Sequence, residues 1–150
     1  MFSKSCEYGI RAVIYIASQS MEGNLSKTGD IVKKSGSPRA FTGKILGQLK
    51  SAGLVESRTG PEGGFFMSQE SIRLMSVSKI VTAIDGDQLF RGCGLGLESC
   101  DSNNPCPLHC KFAVIRTQLK DMLEKTTICD LAVSLKSGDA LLLRKKFETI

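Results

Sequence analysis

The 150-residue chain has one histidine and no tryptophan. None of its apolar runs approaches the roughly 18 residues of a membrane span. A single imidazole leaves acid–base chemistry few candidates. No Ser/His/Asp constellation or nucleotide-binding glycine loop appears, so the expectation is a protein that is not an enzyme and has no membrane partner. No secretory signal opens the chain, which sets the expectation of a cytoplasmic protein with reduced thiols. Hydrophobic residues make up 41% and charged ones 23%, as in an ordinary folded domain.

Positive charge is in excess, at a formal +5, and it is unevenly placed. Residues 1–60 hold nine Lys or Arg against four acids, while residues 61–150 hold eleven of each. The whole excess therefore lies in the first 60 residues. A basic first half joined to a neutral second half points to a polyanion-binding module attached to something else. A merely solvated surface would give the same total but does not account for the asymmetry.

Cysteine is concentrated instead of scarce. Four of the six cysteines and the only histidine fall in one stretch: Cys93, Cys100, Cys106, His109 and Cys110. Glycines, Asn and Pro fill the spacers, so the stretch reads as an irregular loop. Thiolates in such a loop can share one soft metal centre. An iron–sulfur cluster, structural zinc and idle or disulfide-bonded thiols all compete for this reading. Reduced surroundings disfavour disulfides. Zinc sites usually carry two short Cys-x-x-Cys-like knuckles. The intervals here hold six, five and three residues. Wide gaps suit a larger inorganic core, but spacing alone leaves cluster and zinc both open.

Apolar periodicity predicts helices over residues 4–20, 27–34 (capped by Ser26, with Ile31 and Val32 inward) and from Pro38 to about Gly53. Ser37 is placed to cap the third, with Pro38 at its first position and Phe41, Ile45, Leu46 and Leu49 as the buried face. Arg39, Ala40, Thr42, Gly43, Lys44 and Gln48 then face outward. Strands 54–58 and 65–68 flank a glycine-rich tip holding Gly60, Gly63 and Gly64, with Arg58 at its shoulder. This order is that of a winged helix-turn-helix, whose second helix enters the major groove by its N-terminal residues. The expected DNA contacts are Ser37, Arg39, Ala40, Thr42 and Lys44 on that helix, Lys33 and Lys34 on phosphates, and Arg58 with Gly60, Gly63 and Gly64 in the wing. Val77, Ile80, Val81 and Ile84 mark a further helix. The longest pattern, about 111–125, sets Phe112, Ile115, Leu119 and Met122 in an a/d-like seam that reads as a homodimer helix. A short helix starts near Thr126, and a mobile tail follows, ending in Arg144-Lys-Lys146.

Four segments carry a resemblance: Glu7-Tyr-Gly-Ile-Arg-Ala12, Leu49-Lys-Ser-Ala-Gly-Leu-Val55, Arg58-Thr-Gly-Pro-Glu-Gly-Gly-Phe65, and the cysteine loop together with Thr126-Thr-Ile-Cys-Asp-Leu131. Over about residues 1–135 the chain resembles the Rrf-two winged-helix regulators, which include IscR- and NsrR-type iron–sulfur factors. The resemblance implies a gene-regulatory role and an iron–sulfur cluster, two-iron or four-iron, on Cys93, Cys100 and Cys106. It offers His109 as fourth ligand by the IscR pattern, or the partner subunit's acid at the position of Glu7 by the NsrR pattern. Cys110 is a third candidate. The first gap is one residue longer than the common family gap.

The expected fold is mainly α with a small β-hairpin wing: a winged helix-turn-helix domain over 1–75, a cluster loop and dimerisation helices over 76–135, and a tail over 136–150. The expected function is a homodimeric regulator that binds double-stranded DNA. Its cluster senses nitric oxide, redox state or iron–sulfur supply. The competing readings are a cluster-carrying electron-transfer protein, which leaves the basic half unexplained, and a zinc-stabilised winged-helix protein. Cys6 and Cys129 read as small buried thiols.

Overall fold

The computed structural model describes residues 1–144. The first helix, α1 (Lys4–Met21), is the centre of the fold and packs against five other helices among the described residues. Ser3 caps it, its hydroxyl oxygen accepting from the Cys6 N–H at 3.0 Å. Ser3 is held in turn by Asp85, which accepts from its backbone N–H at 3.0 Å and from its hydroxyl. Cys6, Val13, Ile16 and Ala17 recur at helical spacing and are fully buried.

Helix α2 (Thr28–Ser35) ends at Gly36, which turns the chain at φ +72°, a conformation that costs glycine little. Helix α3 (Arg39–Ser51) follows after a tight turn. Three details differ from the sequence expectation. Ser26 does not cap α2. Its backbone N–H donates to Phe65 at 2.9 Å and its carbonyl accepts from Phe65 at 2.8 Å, so it is an extended rung beside the wing. Pro38, not Ser37, occupies the cap position of α3. Thr42 is buried in place of Phe41, which is 51% exposed. The Thr42 hydroxyl donates to the Pro38 carbonyl at 3.0 Å and pairs with the buried Ser37 hydroxyl, so burial leaves neither group unsatisfied. With Thr42, Ile45, Leu46 and Leu49 inward, Phe41 lies about 100° from the stripe's centre.

Strands β1 (Glu56–Arg58) and β2 (Gly64–Phe66) pair antiparallel, with Ser57 opposite Phe65. They are shorter than the periodicity suggested, because Leu54, Val55 and Met67 turn into the core instead of extending the ladder. The wing tip needs glycine: a Cβ on Gly63 would lie 2.1 Å from the Arg58 carbonyl oxygen.

Two short helices escape the periodicity, α4 (Gln69–Leu74) and α6 (Gln88–Arg91). Between them lies α5 (Val77–Asp85), which buries Val77, Ile80 and Val81. The cysteine loop leads into α7 (His109–Lys125), which starts two residues before the expected boundary. α8 (Ile128–Ser137) opens with a capping box formed by Thr127 and Asp130. Val77 N–H donates to the Thr126 carbonyl at 3.0 Å and Ile128 N–H to the Met75 carbonyl at 2.9 Å, fastening the start of α5 to the start of α8. Side chains from both sides of residue 75 enter one core: Ile80, Leu123, Ile128 and Ala132 join Val13, Ile31, Leu46 and Leu49.

Beyond α8, the described part of the expected tail returns to the body of the protein. Leu143 lies against Gly36, where an added Cβ would be 2.7 Å from one of its methyl carbons. Lys145 and Lys146 of the expected basic end lie outside the described residues. Among the described residues no helix is long and apolar enough to cross a membrane.

Candidate functional site

The first region is the exposed face of α3 and the wing beside it. Arg39, Ala40, Phe41, Gly43, Lys44 and Gln48 are all exposed. A Cβ at Gly43 or Gly47 would meet nothing within 4 Å, so internal packing does not require either glycine. Their effect is a smooth outer face, which lets another surface approach the helix closely. Ser37 and Thr42, expected to contact DNA, are instead buried against each other and set the geometry of the first turn of α3. Among the described residues none of Lys33, Lys34, Arg39, Lys44 or Arg58 forms an ion pair within the protein. Their positive charge is therefore uncompensated, the condition for attracting a polyanion.

Two residues that the sequence reading passed over shape this region. Arg11 donates to the Ser35 carbonyl at 3.0 Å, satisfying the end of α2 at the turn. Its guanidinium lies 5.5 Å from the Tyr8 ring centre. Lys27 donates to the Pro61 carbonyl at 3.1 Å and ties the wing tip to the start of α2. Neither carries a sequence signal, since each acts on a backbone carbonyl distant in the chain. Arg58 sits over the Phe66 ring at 5.1 Å, with its charge outward at the wing shoulder.

The second region is the cysteine loop between α6 and α7. It contains two donor pairs. The sulfur of Cys93 is 3.7 Å from that of Cys106, and the sulfur of Cys100 is 3.3 Å from Nδ1 of His109. These four residues are half-buried, whereas Cys110 is exposed. The N–H groups of Leu95 and Leu97 point at Cys93, with Cys106 adding a further contact, and they hold its thiol below the ordinary cysteine range. Asp101 accepts from the Asn103 N–H at 2.8 Å and from the Asn104 amide at 3.0 Å, so the middle of the loop has a defined turn. Its carboxyl is held low mainly by Asn104 and Asn103, with a smaller contribution from His109.

Among the described residues the two pairs do not converge into a group of three metal donors. Glu7 pairs with Lys4 at 3.1 Å on the first turn of α1. All six cysteines are free thiols. Burial, followed by the nearby Asp85, pushes the Cys6 thiol up to about 12, so it is inert. Three thiols and one imidazole on a single irregular loop form a donor set suited to an iron–sulfur cluster, and equally to zinc.

On α7 the expected seam is divided. Leu123 is the buried residue of this helix, and Phe112 and Leu119 are half-buried. Ile115 is 60% exposed and Met122 49%, with Val114 beside them at 57%.

The family model described as "Rrf2: Iron-dependent Transcriptional regulator" matches residues 2–134. A protein of Aquifex aeolicus named as an HTH-type transcriptional regulator is 30% identical over 133 residues, covering 87% of this chain and 90% of that protein. Two solved structures share the fold. CymR of B. subtilis, titled the global cysteine regulator, has a TM-score of 0.70 at 21% identity, covering 89% of this chain and 96% of its own. IscR of T. potens has a TM-score of 0.70 at 17% identity, covering 98% and 94%. The chain belongs to the Rrf2 family of winged-helix transcriptional regulators, on a match that spans both the uncompensated basic face and the cysteine loop.

Proposed function

We propose that the protein is a cytoplasmic, homodimeric DNA-binding regulator controlled by an iron–sulfur cluster, two-iron or four-iron, on its cysteine loop. Cys93, Cys100 and Cys106 would hold the cluster, with His109 as fourth ligand in preference to Glu7 or Cys110. The observation that carries this reading is the pairing inside the loop: Cys93 with Cys106, and Cys100 with His109. Each pair contains donors far apart in sequence, so the loop already folds back on itself around its own ligands. When bound, such a cluster supplies a centre reactive to nitric oxide, oxidants and iron–sulfur supply.

The chain's own residues do the rest. Convergence of the four ligands orders the segment between α6 and α7. Helix α7 begins at His109 itself, so order in the loop is passed directly to the helix. Ile115 and Met122 on its exposed face would meet the same face of a second copy. The tilt of that pairing sets the separation of two α3 helices. Residues 1–75 act as the reading head and 76–135 as the control region. Arg39 and Ala40 lead α3 into the major groove, Lys33, Lys34 and Lys44 lie on phosphates, and Arg58 with the glycines of the wing follows the backbone. The ligands shift the balance between two arrangements of the dimer, as any switch must.

Purification without oxygen tests the ligand set. Brown protein with iron and sulfide in comparable amounts, and loss of colour in Cys93→Ala, Cys100→Ala and Cys106→Ala, is the expected result. Colourless protein with stoichiometric zinc would contradict it and leave the zinc-stabilised reading. Substitution of His109, Glu7 and Cys110 one at a time identifies the fourth ligand by a shifted spectrum or a labile cluster.

A further inference from the structure

Cys93 is gripped on both sides by α7. Arg116 Nη1 donates to the Gly92 carbonyl at 2.7 Å. One residue past Cys93, the Phe112 ring lies so close to Gly94 that a Cβ there would be 2.8 Å from its Cγ and 2.9 Å from its Cδ2. The two gripping residues touch each other as well, the Arg116 guanidinium standing 5.9 Å from the Phe112 ring centre. They are four apart on one helix and so share a face. Apart from the Cys100–His109 contact at the first residue of α7, the loop's other hydrogen bonds among the described residues are mostly turns within itself, such as Gly96 N–H to the Cys93 carbonyl at 3.0 Å.

We infer that Arg116 and Phe112 are positioning residues, which clamp Gly92 and Gly94 onto α7 and so fix the Cys93 sulfur beside Cys106. The clamp accounts for features that ligation alone does not require. Arg116 forms no ion pair among the described residues and donates instead to a backbone carbonyl. A glycine stands where any side chain would displace the ring. The arrangement also couples two events: movement of Cys93 must move Arg116 and Phe112, and these stand on the same helix as the exposed Ile115 and Met122. Of the seam expected from the sequence, Phe112 is thus committed to the chain's own loop and Leu119 to its core, while Ile115 and Met122 are left for a partner. The functional meaning of the clamp rests on the ligand assignment proposed above, while its existence does not.

The test uses the full chain in two forms. In the reduced, metal-free protein, amide hydrogen exchange is followed for residues 92–97. Loss of one such hydrogen bond predicts about tenfold faster exchange there in Arg116→Ala. Arg116→Lys, which keeps a donor, should fall back toward the parent rate. Gly94→Ala should reproduce the effect by displacing Phe112. In protein purified without oxygen, Arg116→Ala should lose its visible absorbance to a chelator about tenfold faster than the parent. Unchanged exchange at 92–97 in both Arg116→Ala and Gly94→Ala would overturn the clamp, as would acceleration spread evenly over the whole chain. Parent protein that carries no iron would overturn the cluster assignment, and exchange in the metal-free form would still decide the clamp.

Discussion

Replacing Thr42 by Val separates a structural role from a DNA-reading role at the start of α3. Val has nearly the shape of Thr, so the 2% exposed site remains filled and no cavity opens. What is lost is the hydroxyl that donates to the Pro38 carbonyl at 3.0 Å and pairs with Ser37. Ser37 keeps a partner in the Ser35 hydroxyl at 3.0 Å, and the Pro38 carbonyl still accepts from the Phe41 and Thr42 N–H groups at 3.0 Å each, so the loss is that of the two hydroxyl hydrogen bonds with no group left unpaired. The cost should be about 1–2 kcal/mol. For a chain of this length that corresponds to a fall in Tm of about 2–8 °C. The assay is thermal unfolding at fixed protein concentration, with Ser37→Ala and the double variant completing a cycle. The double variant should cost less than the sum of the singles, since either one alone breaks the same pair. Binding to specific and random duplexes should weaken together, because the helix start is loosened and no base contact is removed. Unchanged Tm with binding lost on the specific duplex alone would refute the reasoning and return Thr42 to the set of base-reading residues.

Gly63→Ala should disturb the wing, because its Cβ would fall 2.1 Å from the Arg58 carbonyl; the expected result is weaker DNA binding with little change in unfolding, read by gel shift and calorimetry. Arg39→Ala should relax preference at one base position by about 1–3 kcal/mol, measured across a set of singly substituted duplexes. Lys33→Ala should weaken binding to all duplexes alike and reduce the log–log salt slope by about 0.9. Met122→Lys, at a position 49% exposed, should leave the chain folded but shift it toward monomer in sedimentation, and an unchanged dimer would remove α7's outer face from the interface.

The long elements were legible because their periodicity repeats. α1 places buried residues from Cys6 to Ala17 in register, and Gly36 and Pro38 punctuate the turn before α3. α4 was not, since its six residues bury Ile72 alone and no period can show itself. Phe41 and Thr42 exchanged faces because a hydroxyl pair formed across the turn makes threonine inexpensive to bury, and hydrophobicity alone ranks it below phenylalanine. Ser26 has an N-cap composition, yet a two-bond rung with Phe65, distant in sequence, decides its conformation. In the loop, the concentration of cysteines was plain. The partnership of Cys93 with Cys106 and of Cys100 with His109 was not, because an irregular backbone carries no period from which to predict approach. Arg116 was invisible for the same reason: its partner is a carbonyl 24 residues away.

If the state of the cysteine loop sets the affinity for DNA, loaded and stripped protein must differ in that affinity. A duplex is selected from a random pool by protein purified without oxygen, and affinity for it is then measured at fixed salt before and after removal of iron by a chelator. The account predicts that removal changes affinity for the selected duplex by about tenfold or more, the range of ordinary allosteric coupling, while binding to random duplex stays nearly constant. Equal affinity of the loaded and stripped protein for the selected duplex would contradict it.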